Sequence, residues 1–192
     1  MPPSICGQRT ASVSERFFFE KIDSPVDELL MVSDEAGRLR VLEFHDKSDR
    51  WRPLLARRFR DAELVEKKDA FGHASTLKRY FDGDIEAIEG IKVKAAGSAF
   101  QLAVWKALRQ IPAGTTTSYG AIARKLGNPE ASRAFGLANG ANPIAIVVPC
   151  HRVVGADGSL TGFGGGLPRK RWLLAHEARH VGQGLFRKVK AK

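Results

Sequence analysis

Cys150, His151 and Arg152 stand side by side at the end of an apolar run, in the segment Ile144 to Val154, IAIVVPCHRVV. Sulfur attacks as the thiolate. A free cysteine, with a pKa of about 8.5, is only slightly ionised at neutral pH, and apolar surroundings reduce that fraction further. A nucleophilic Cys150 therefore needs a base or a proton relay. His151 is the adjacent candidate, but successive side chains of an extended strand point to opposite faces. The two meet only through a bend, for which Pro149 provides, or through a bridging water. On these residues alone two readings stand: a nucleophile with a relay, or a buried structural cysteine beside a surface histidine. Glu177 lies on a helix opened by Pro168, on a face shared with Leu173 and Leu174. A carboxylate on an apolar face requires a partner. It either orients the histidine by accepting its N–H or pairs with a rim Arg or Lys. Gly162 to Gly166, GFGGG, reads as a flexible loop. Its N–H groups can stabilise a developing negative oxygen, or the glycines act only as a hinge. It has no phosphate-loop pattern.

Other chemistries find little support. The two cysteines, Cys6 and Cys150, form no Cys-x-x-Cys pair and are expected as free thiols in a reducing compartment. His176 and His180 have helical spacing around Glu177, which is not a metalloprotease pattern. No metal and no cofactor are expected. No apolar stretch approaches a membrane span, and the N-terminus lacks a signal-peptide layout. The expectation is a cytoplasmic protein, nucleoid-associated in a bacterium or nuclear in a eukaryote. The net charge is +10, and from Pro168 onward eight Lys or Arg face one acid. A basic surplus favours polyanions, although many soluble proteins simply run basic.

Elements must hold these residues. With 192 residues the chain suits one large or two small domains. In the first half, Phe17 to Phe19 reads as a strand. Leu29 to Ser33 and Leu39 to Phe44 read as a hairpin around a turn containing Gly37. Leu54 to Phe59 and Ala74 to Phe81 read as helices, the second stopped by Gly83, and Gly90 to Gly97 as a crossing segment. In the second half, Ser98 and Gln101 fit a capping box. Phe100, Val104, Ala107, Leu108 and Ile111 follow a buried helical face. Ser118 to Leu126 is a short helix ended by Gly127, and Asn128-Pro129 restarts as cap and first helical residue. This is the outline of a helix-turn-helix, or of any two packed helices. On the second helix Ala131, Phe135 and Ala138 share one side. Arg133, Gly136 and Gly140 lie roughly opposite, with Leu137 at the edge. Glycine costs a helix about 1 kcal/mol against alanine, so a face this bare suits close backbone approach to a partner that the one arginine enters.

These residues resemble the O6-alkylguanine-DNA alkyltransferases, the methylated-DNA–protein-cysteine methyltransferase family. PCHRVV, Pro149 to Val154, is similar to the family's active-site signature. FQLAVWKAL, IPAGTTTSYGAIA, NPEASRAFGLANGANPIAIVVPCHRVVGADGSLTGFGGG and KRWLLAHEA follow the family in order and spacing. The resemblance covers roughly Ser98 to Ala178. It implies that Cys150 is nucleophile and alkyl acceptor. His151 is a base acting through a water, Glu177 orients it, and Asn142 supports the network and its turn. Tyr119 donates to the guanine ring as O6 departs. Arg133 takes the place of the flipped nucleotide, with Ser132, Gly136 and Ser118 also at the DNA. Pro149, Val153, Phe163 and Gly164 form the substrate pocket. Main-chain groups of Cys150, Val153 and Gly164 read the guanine edge, and Phe163 packs on the base or its alkyl group. The implied apolar run is a buried strand beneath a base-sized pocket. Some relatives carry tyrosine at the position of Phe163 and serine at that of Gly164. Others bind zinc through N-terminal cysteines, and Cys6 has no partner for this. A non-repairing branch has tryptophan in place of the cysteine.

The expected fold is α/β: a small N-terminal sheet-and-helix domain over residues 1–95, then a C-terminal helix-turn-helix, winged-helix-like domain over 96–192. The expected function is irreversible, stoichiometric transfer of an alkyl group from O6-alkylguanine in DNA, and from O4-alkylthymine, to Cys150 after base flipping. The expected partner is double-stranded DNA approached from the minor groove. The protein is expected as a monomer whose affinity falls with salt. Two rival classes differ in one residue's importance. A pure DNA-binding module does not need Cys150, and a thiol hydrolase using Cys150, His151 and Glu177 turns over many times. The basic tail RKVKAK is expected to be disordered.

Overall fold

The computed structural model describes residues 15–45, 55, 59, 60 and 62–181. Cys6, most of the expected 54–59 helix and the basic tail lie outside the described residues. Leu55 is helical, buried, and accepts from the Phe59 N–H at 2.8 Å.

A four-stranded sheet is formed by β1 (Arg16–Ile22), β2 (Leu29–Asp34), β3 (Leu39–Phe44) and β4 (Glu63–Glu66), in the order β3-β2-β1-β4. β1 and β3 run antiparallel to β2, and β4 runs parallel to β1. All six residues of β2 are buried. Strand side chains alternate between faces, so Leu29 and Met31 enter the main core while Leu30 and Val32 enter a second cluster with Phe17 and Phe19. The hairpin turn is built as its residues require. The Asp34 carboxylate accepts from the Ala36 and Arg38 N–H groups, and Gly37 takes φ 69°.

The outer edge of β3 supports the second half of the chain. Leu39 donates to Lys92 O and accepts from Lys94 N, which ties down the crossing segment. Leu42 donates to Pro143 O at 2.9 Å and accepts from Ala145 N at 2.8 Å. The segment leading to Cys150 is thus fastened to a buried strand by two backbone bonds.

Helix α1 (His73–Phe81) begins after Gly72, with Asp69 Oδ1 accepting from the N–H groups of Ala74 and Ser75. It sends Leu77 and Tyr80 into the core and stops at Gly83, φ 101°. Helix α2 (Ala99–Leu108) starts with the Ser98–Gln101 capping box. Val104, Ala107 and Leu108 form its buried side as expected, but two of the expected residues do not belong to it. Phe100 is 38% exposed and lies edge-on to Phe135, and Ile111 lies past the helix end. Trp105 is buried instead, because its indole N–H reaches Ala138 O at 2.8 Å.

Helices α3 (Tyr119–Lys125) and α4 (Ser132–Gly140) pack together as the helix pair, with α2 against α4. Ser118 caps α3 by accepting from Ala121 N, and Gly127 ends it at φ 71°. Asn128 makes no side-chain cap. Pro129 opens a separate 3-10 turn, Pro129–Ala131, before α4 begins. Helix α5 (Leu167–His180) buries Lys170, Leu173, His176 and Glu177. A single apolar cluster runs from the sheet through α1, α2, α4 and α5.

The run Ile144 to Val148 is not the expected strand. Only Ile144 bridges to β3. The next residues fold into turns, with Val148 N donating to Ile144 O and Val147 N to Ala145 O. Ile146 has φ 70°, an outlier for a β-branched residue and a strain of order 1–3 kcal/mol. The five residues are buried all the same, which is what their composition demanded.

Candidate active site

Cys150 opens a 3-10 turn, Cys150–Arg152, that feeds the two-residue strand β6 (Val153–Val154). β6 pairs in parallel with β5 (Thr117–Ser118) at the head of α3. Asn142 braces the whole turn with one amide. Its Oδ1 accepts from Ile144 N at 3.1 Å, and its Nδ2 donates to Val148 O at 2.8 Å and to Cys150 Sγ at 3.0 Å. The tight backbone needs this brace because carbonyls turned out of a strand ladder must find donors elsewhere. Burial pushes the Cys150 thiol up, opposed by the Asn142 amide and the nearby Lys170 ammonium. A donor aimed at sulfur stabilises negative charge there.

His151 is fully buried and points the other way. Its Nε2 lies 2.9 Å from Glu177 Oε1, and its Nδ1 has no hydrogen-bond partner among the described residues. Glu177 collects further donors. Arg152 donates through Nε to Oε2 at 2.9 Å and through Nη2 to Oε1 at 2.8 Å. The Tyr80 hydroxyl donates to Oε1 at 3.0 Å, and Gly114 N to Oε2 at 3.2 Å. Burial alone would raise the Glu177 carboxyl, but His151 and Arg152 together hold it well below the usual carboxylate range. Burial lowers His151, with Glu177 opposing. The imidazole is therefore neutral at pH 7, with Nε2 carrying the proton and Nδ1 free to accept one.

A cavity of about 210 Å³ opens over the thiol, lined among others by Cys150, Asn139, Asn142, Phe44, Phe163 and Gly164. Phe163 stands edge-on to Phe44, with centroids 5.8 Å apart. Within the glycine loop, Gly164 and Gly165 form a turn in which Gly165 is buried while Gly162 and Gly164 stay exposed. A Cβ on Gly165 would lie 2.4 Å from the Phe44 ring and 2.7 Å from Phe163. Gly165→Ala is expected to destabilise the fold by about 1–3 kcal/mol through overpacking. Urea unfolding measures this, and an unchanged midpoint would refute it.

Two expected pocket residues are not in this cavity. Pro149 lines a separate cavity behind the turn with Arg152. The Val153 side chain is fully buried, and its carbonyl accepts from Lys170 Nζ at 2.5 Å. The cause in both is the turn, which rotates alternate residues away from the thiol's side. Tyr119 lies beside the cavity's glycine loop, its hydroxyl 3.3 Å from Gly162 O. Gly136 of α4 faces the Tyr119 ring, a Cβ there lying 3.9 Å from it. Arg133 is exposed and has no hydrogen-bond or ion-pair partner among the described residues. Ser132 is half-buried and contacts Pro129 O, Ser118 is the α3 cap, and Leu137 is 78% exposed.

Four residues escaped the sequence reading. Arg152 and Lys170 are cations whose burial is visible only once their acceptors are placed: Glu177 and Ile111 O for the first, Val153 O and Thr161 O for the second. Tyr80 comes from the other half of the chain. Asn139 had a readable signal, since it follows Phe135 by four on the buried side of α4. Among the described residues no group of His, Cys, Asp and Glu is arranged to hold a metal. No helix there is long and apolar enough to cross a membrane.

Residues 99–179 match the family model described as 6-O-methylguanine DNA methyltransferase, DNA binding domain. The methylated-DNA–protein-cysteine methyltransferase of Salmonella typhimurium is 46% identical over 164 residues, covering 84% of this chain and 96% of that protein. The protein of the same name from Mycolicibacterium paratuberculosis is 58% identical over 117 residues, covering 60% of this chain and 70% of that one. The crystal structure of the Mycobacterium tuberculosis O6-methylguanine methyltransferase superimposes with TM-score 0.71 at 40% identity, over 85% of this chain and 94% of that chain. That of Mycobacterium tuberculosis OGT in complex with DNA gives 0.69 at 39%, over 86% and 94%. With an arranged thiol, imidazole and carboxylate in the region the family model matches, and relatives aligned along most of its length, the chain belongs to the methylated-DNA–protein-cysteine methyltransferase family.

Proposed function

We propose that this protein repairs O6-alkylguanine in double-stranded DNA, and O4-alkylthymine more weakly, by moving the alkyl group onto Cys150. The carrying observation is the buried thiol. It sits at the base of a cavity, with an amide donor on sulfur and a neutral histidine backed by a carboxylate next in the chain. The O6 carbon of a stacked base is out of reach of such a thiol, so the base must flip out of the duplex. The Cys150 proton passes through a water to His151 Nδ1. Sulfur attacks the alkyl carbon in line, the carbon–oxygen bond breaks, and its electron pair stays on O6. A hydrogen bond donated by the Tyr119 hydroxyl to the guanine ring offsets the charge of the leaving purine. The purine then takes up one proton from water while His151 returns the thiol's proton to water, so that the relay and Tyr119 end as they began. The thioether product is not hydrolysed, so each molecule acts once.

Helix α4 is the element we assign to the minor groove, with Ser132, Ser118 and Gly136 at the backbone and Arg133 filling the space of the extruded nucleotide. We further propose that residues 1–95 and 96–192 are separate domains, the second carrying the chemistry. Repair takes place wherever the cell keeps its DNA, by a cytoplasmic or nuclear monomer that uses no cofactor or metal.

The test is intact-mass measurement after mixing with a duplex containing O6-methylguanine. One added CH2 per molecule, mapped to Cys150, is the expected result. Unchanged mass, an adduct elsewhere or repeated turnover would overturn the reading. Arg133→Ala is expected to slow repair in duplex by about tenfold or more, as losing a few kcal/mol of support for an unstacked base implies. It should leave the reaction with free O6-methylguanine base within about twofold. Equal losses on both substrates would remove Arg133 from base extrusion.

A further inference from the structure

Tyr80 is 0% exposed and belongs to helix α1, in the half of the chain that does not carry the thiol. Its hydroxyl donates to Glu177 Oε1 at 3.0 Å. The same oxygen accepts from His151 Nε2 at 2.9 Å and from Arg152 Nη2 at 2.8 Å. A carboxylate oxygen has about two lone-pair positions, so these three donors compete for it. A buried phenol needs an acceptor, but a backbone carbonyl would serve without drawing on the oxygen that backs the histidine. Tyr80 is also fixed at its other end. Its carbonyl accepts from His176 Nε2 at 2.8 Å, its ring lies edge-on to the His176 ring, and His176 stacks on Trp172. Both ends are thus held by α5, the helix that carries Glu177. Burial first, and the Glu177 charge next, push the Tyr80 phenol well above its ordinary value, so it stays a donor.

When His151 takes a proton at Nδ1, the imidazolium is stabilised through its Nε2–H on Glu177. A carboxylate oxygen that serves more donors attracts each of them less. We infer that Tyr80 is a positioning residue of the proton relay: its hydroxyl takes a share of Glu177 Oε1 from His151 and so sets how readily His151 accepts the thiol's proton. This rests on the reading that Cys150 accepts the alkyl group with His151 as its base. The other groups facing the pair are the same whether or not the hydroxyl is present. Burial lowers His151 first, Arg152 and Lys170 add to that, and Glu177 opposes. His176 and the Cys150 thiol complete the titratable groups among the described residues at this junction. Helix α2, packed on the same turn, buries Val104, Trp105, Ala107 and Leu108, none of them charged.

The experiment follows two quantities against pH in wild type, Tyr80→Phe and Tyr80→3-fluorotyrosine. One is the ring 15N shifts of His151, and the other is the single-turnover rate of transfer from an O6-methylguanine duplex. Tyr80→Phe keeps the ring and removes only the donor. His151 then gains a larger share of Oε1 and its protonated form is favoured. Its titration and the acid limb of the rate profile are both expected to move up by about half to one pH unit, the scale of one hydrogen bond. The fluorinated phenol is a stronger donor, so with it both are expected to move down. Opposite shifts are a signature that packing alone does not produce. An unmoved His151 titration in either folded variant, or shifts in the same direction, would overturn the assignment. So would a rate profile that stays fixed while the titration moves. Should Tyr80→Phe fail to fold, the fluorinated protein still decides the matter. The His151 titration needs no DNA, so it judges Tyr80 independently. Failure of the methylated duplex to alkylate the wild type would instead sink the repair reading itself.

Discussion

Cys150→Ser is expected to abolish alkyl transfer, with the rate falling at least ~10³-fold, while duplex binding stays within about twofold. Losing a nucleophile from an otherwise intact site removes the full benefit of the covalent step. The scale of the loss follows from the site's construction. Burial already pushes the thiol up, and the site compensates with the Asn142 amide 3.0 Å from sulfur and with the Lys170 ammonium. A serine hydroxyl starts far less acidic than a thiol and its oxygen is a harder, less polarizable nucleophile, so the same compensation leaves it neutral and inert. The readouts are single-turnover transfer from a methylated duplex and a binding isotherm on the same duplex. Retained transfer would mean that another side chain accepts the alkyl group. Lost binding would mean that the thiol shapes the DNA surface, which its 4% exposure argues against. The same variant separates the rival classes, since a pure DNA-binding module would be indifferent to it.

How much of this was legible in the residues depends on what kind of force placed each one. Local chemistry was readable. The Ser98–Gln101 box, the Gly37 turn, the Gly83 and Gly127 stops and the period of α5 all act within a few residues, and the structure contains each of them. Glu177 was readable as a carboxylate that must find a partner, because an apolar helical face makes that demand whatever the fold. The path of residues 144–148 was not. Five apolar residues in sequence suit a buried strand and a buried turn equally, since both hide their side chains. The turn wins through Asn142, whose amide replaces the donors and acceptors that a second strand would supply, and through Leu42, which takes both backbone bonds at the start of the run. Arg152 and Lys170 were invisible for a related reason. Long cationic side chains default to solvent, and only the three-dimensional arrangement of acceptors repays burying them. Tyr80 joins Glu177 across 97 residues of sequence, a contact that no local pattern encodes.

The Glu177 carboxylate is where stability and chemistry meet, and its removal is expected to damage both. It accepts from Arg152 twice, and from His151, Tyr80 and Gly114, with no exposure to solvent. Glu177→Ala leaves the Arg152 guanidinium, 7% exposed, with only the Ile111 carbonyl as a partner among the described residues. Breaking a buried pair from one side costs about 3–5 kcal/mol, a large part of the stability of an ordinary domain. Glu177→Gln keeps the volume but turns one oxygen into a donor that faces other donors, so it is expected to lose less stability yet still transfer ~10²–10³-fold more slowly, as an unsupported general base does. The acid limb of the stability curve distinguishes this account from simple packing. In the folded protein Glu177 titrates below its unfolded value, so on acidification the unfolded chain takes up the proton first. Its contribution is complete above the ordinary carboxylate value of about 4.3 and is lost as pH falls toward the folded one. His151, also lowered in the fold by burial, begins the same loss at about 6.5. Urea midpoints followed from pH ~7 to ~3 should therefore fall in both proteins near the histidine value, and below about 4.3 should fall more steeply in wild type than in Glu177→Gln. Parallel curves through that lower range would show that Glu177 is not the carboxylate whose protonation loosens the fold, and would leave its five donors as packing alone.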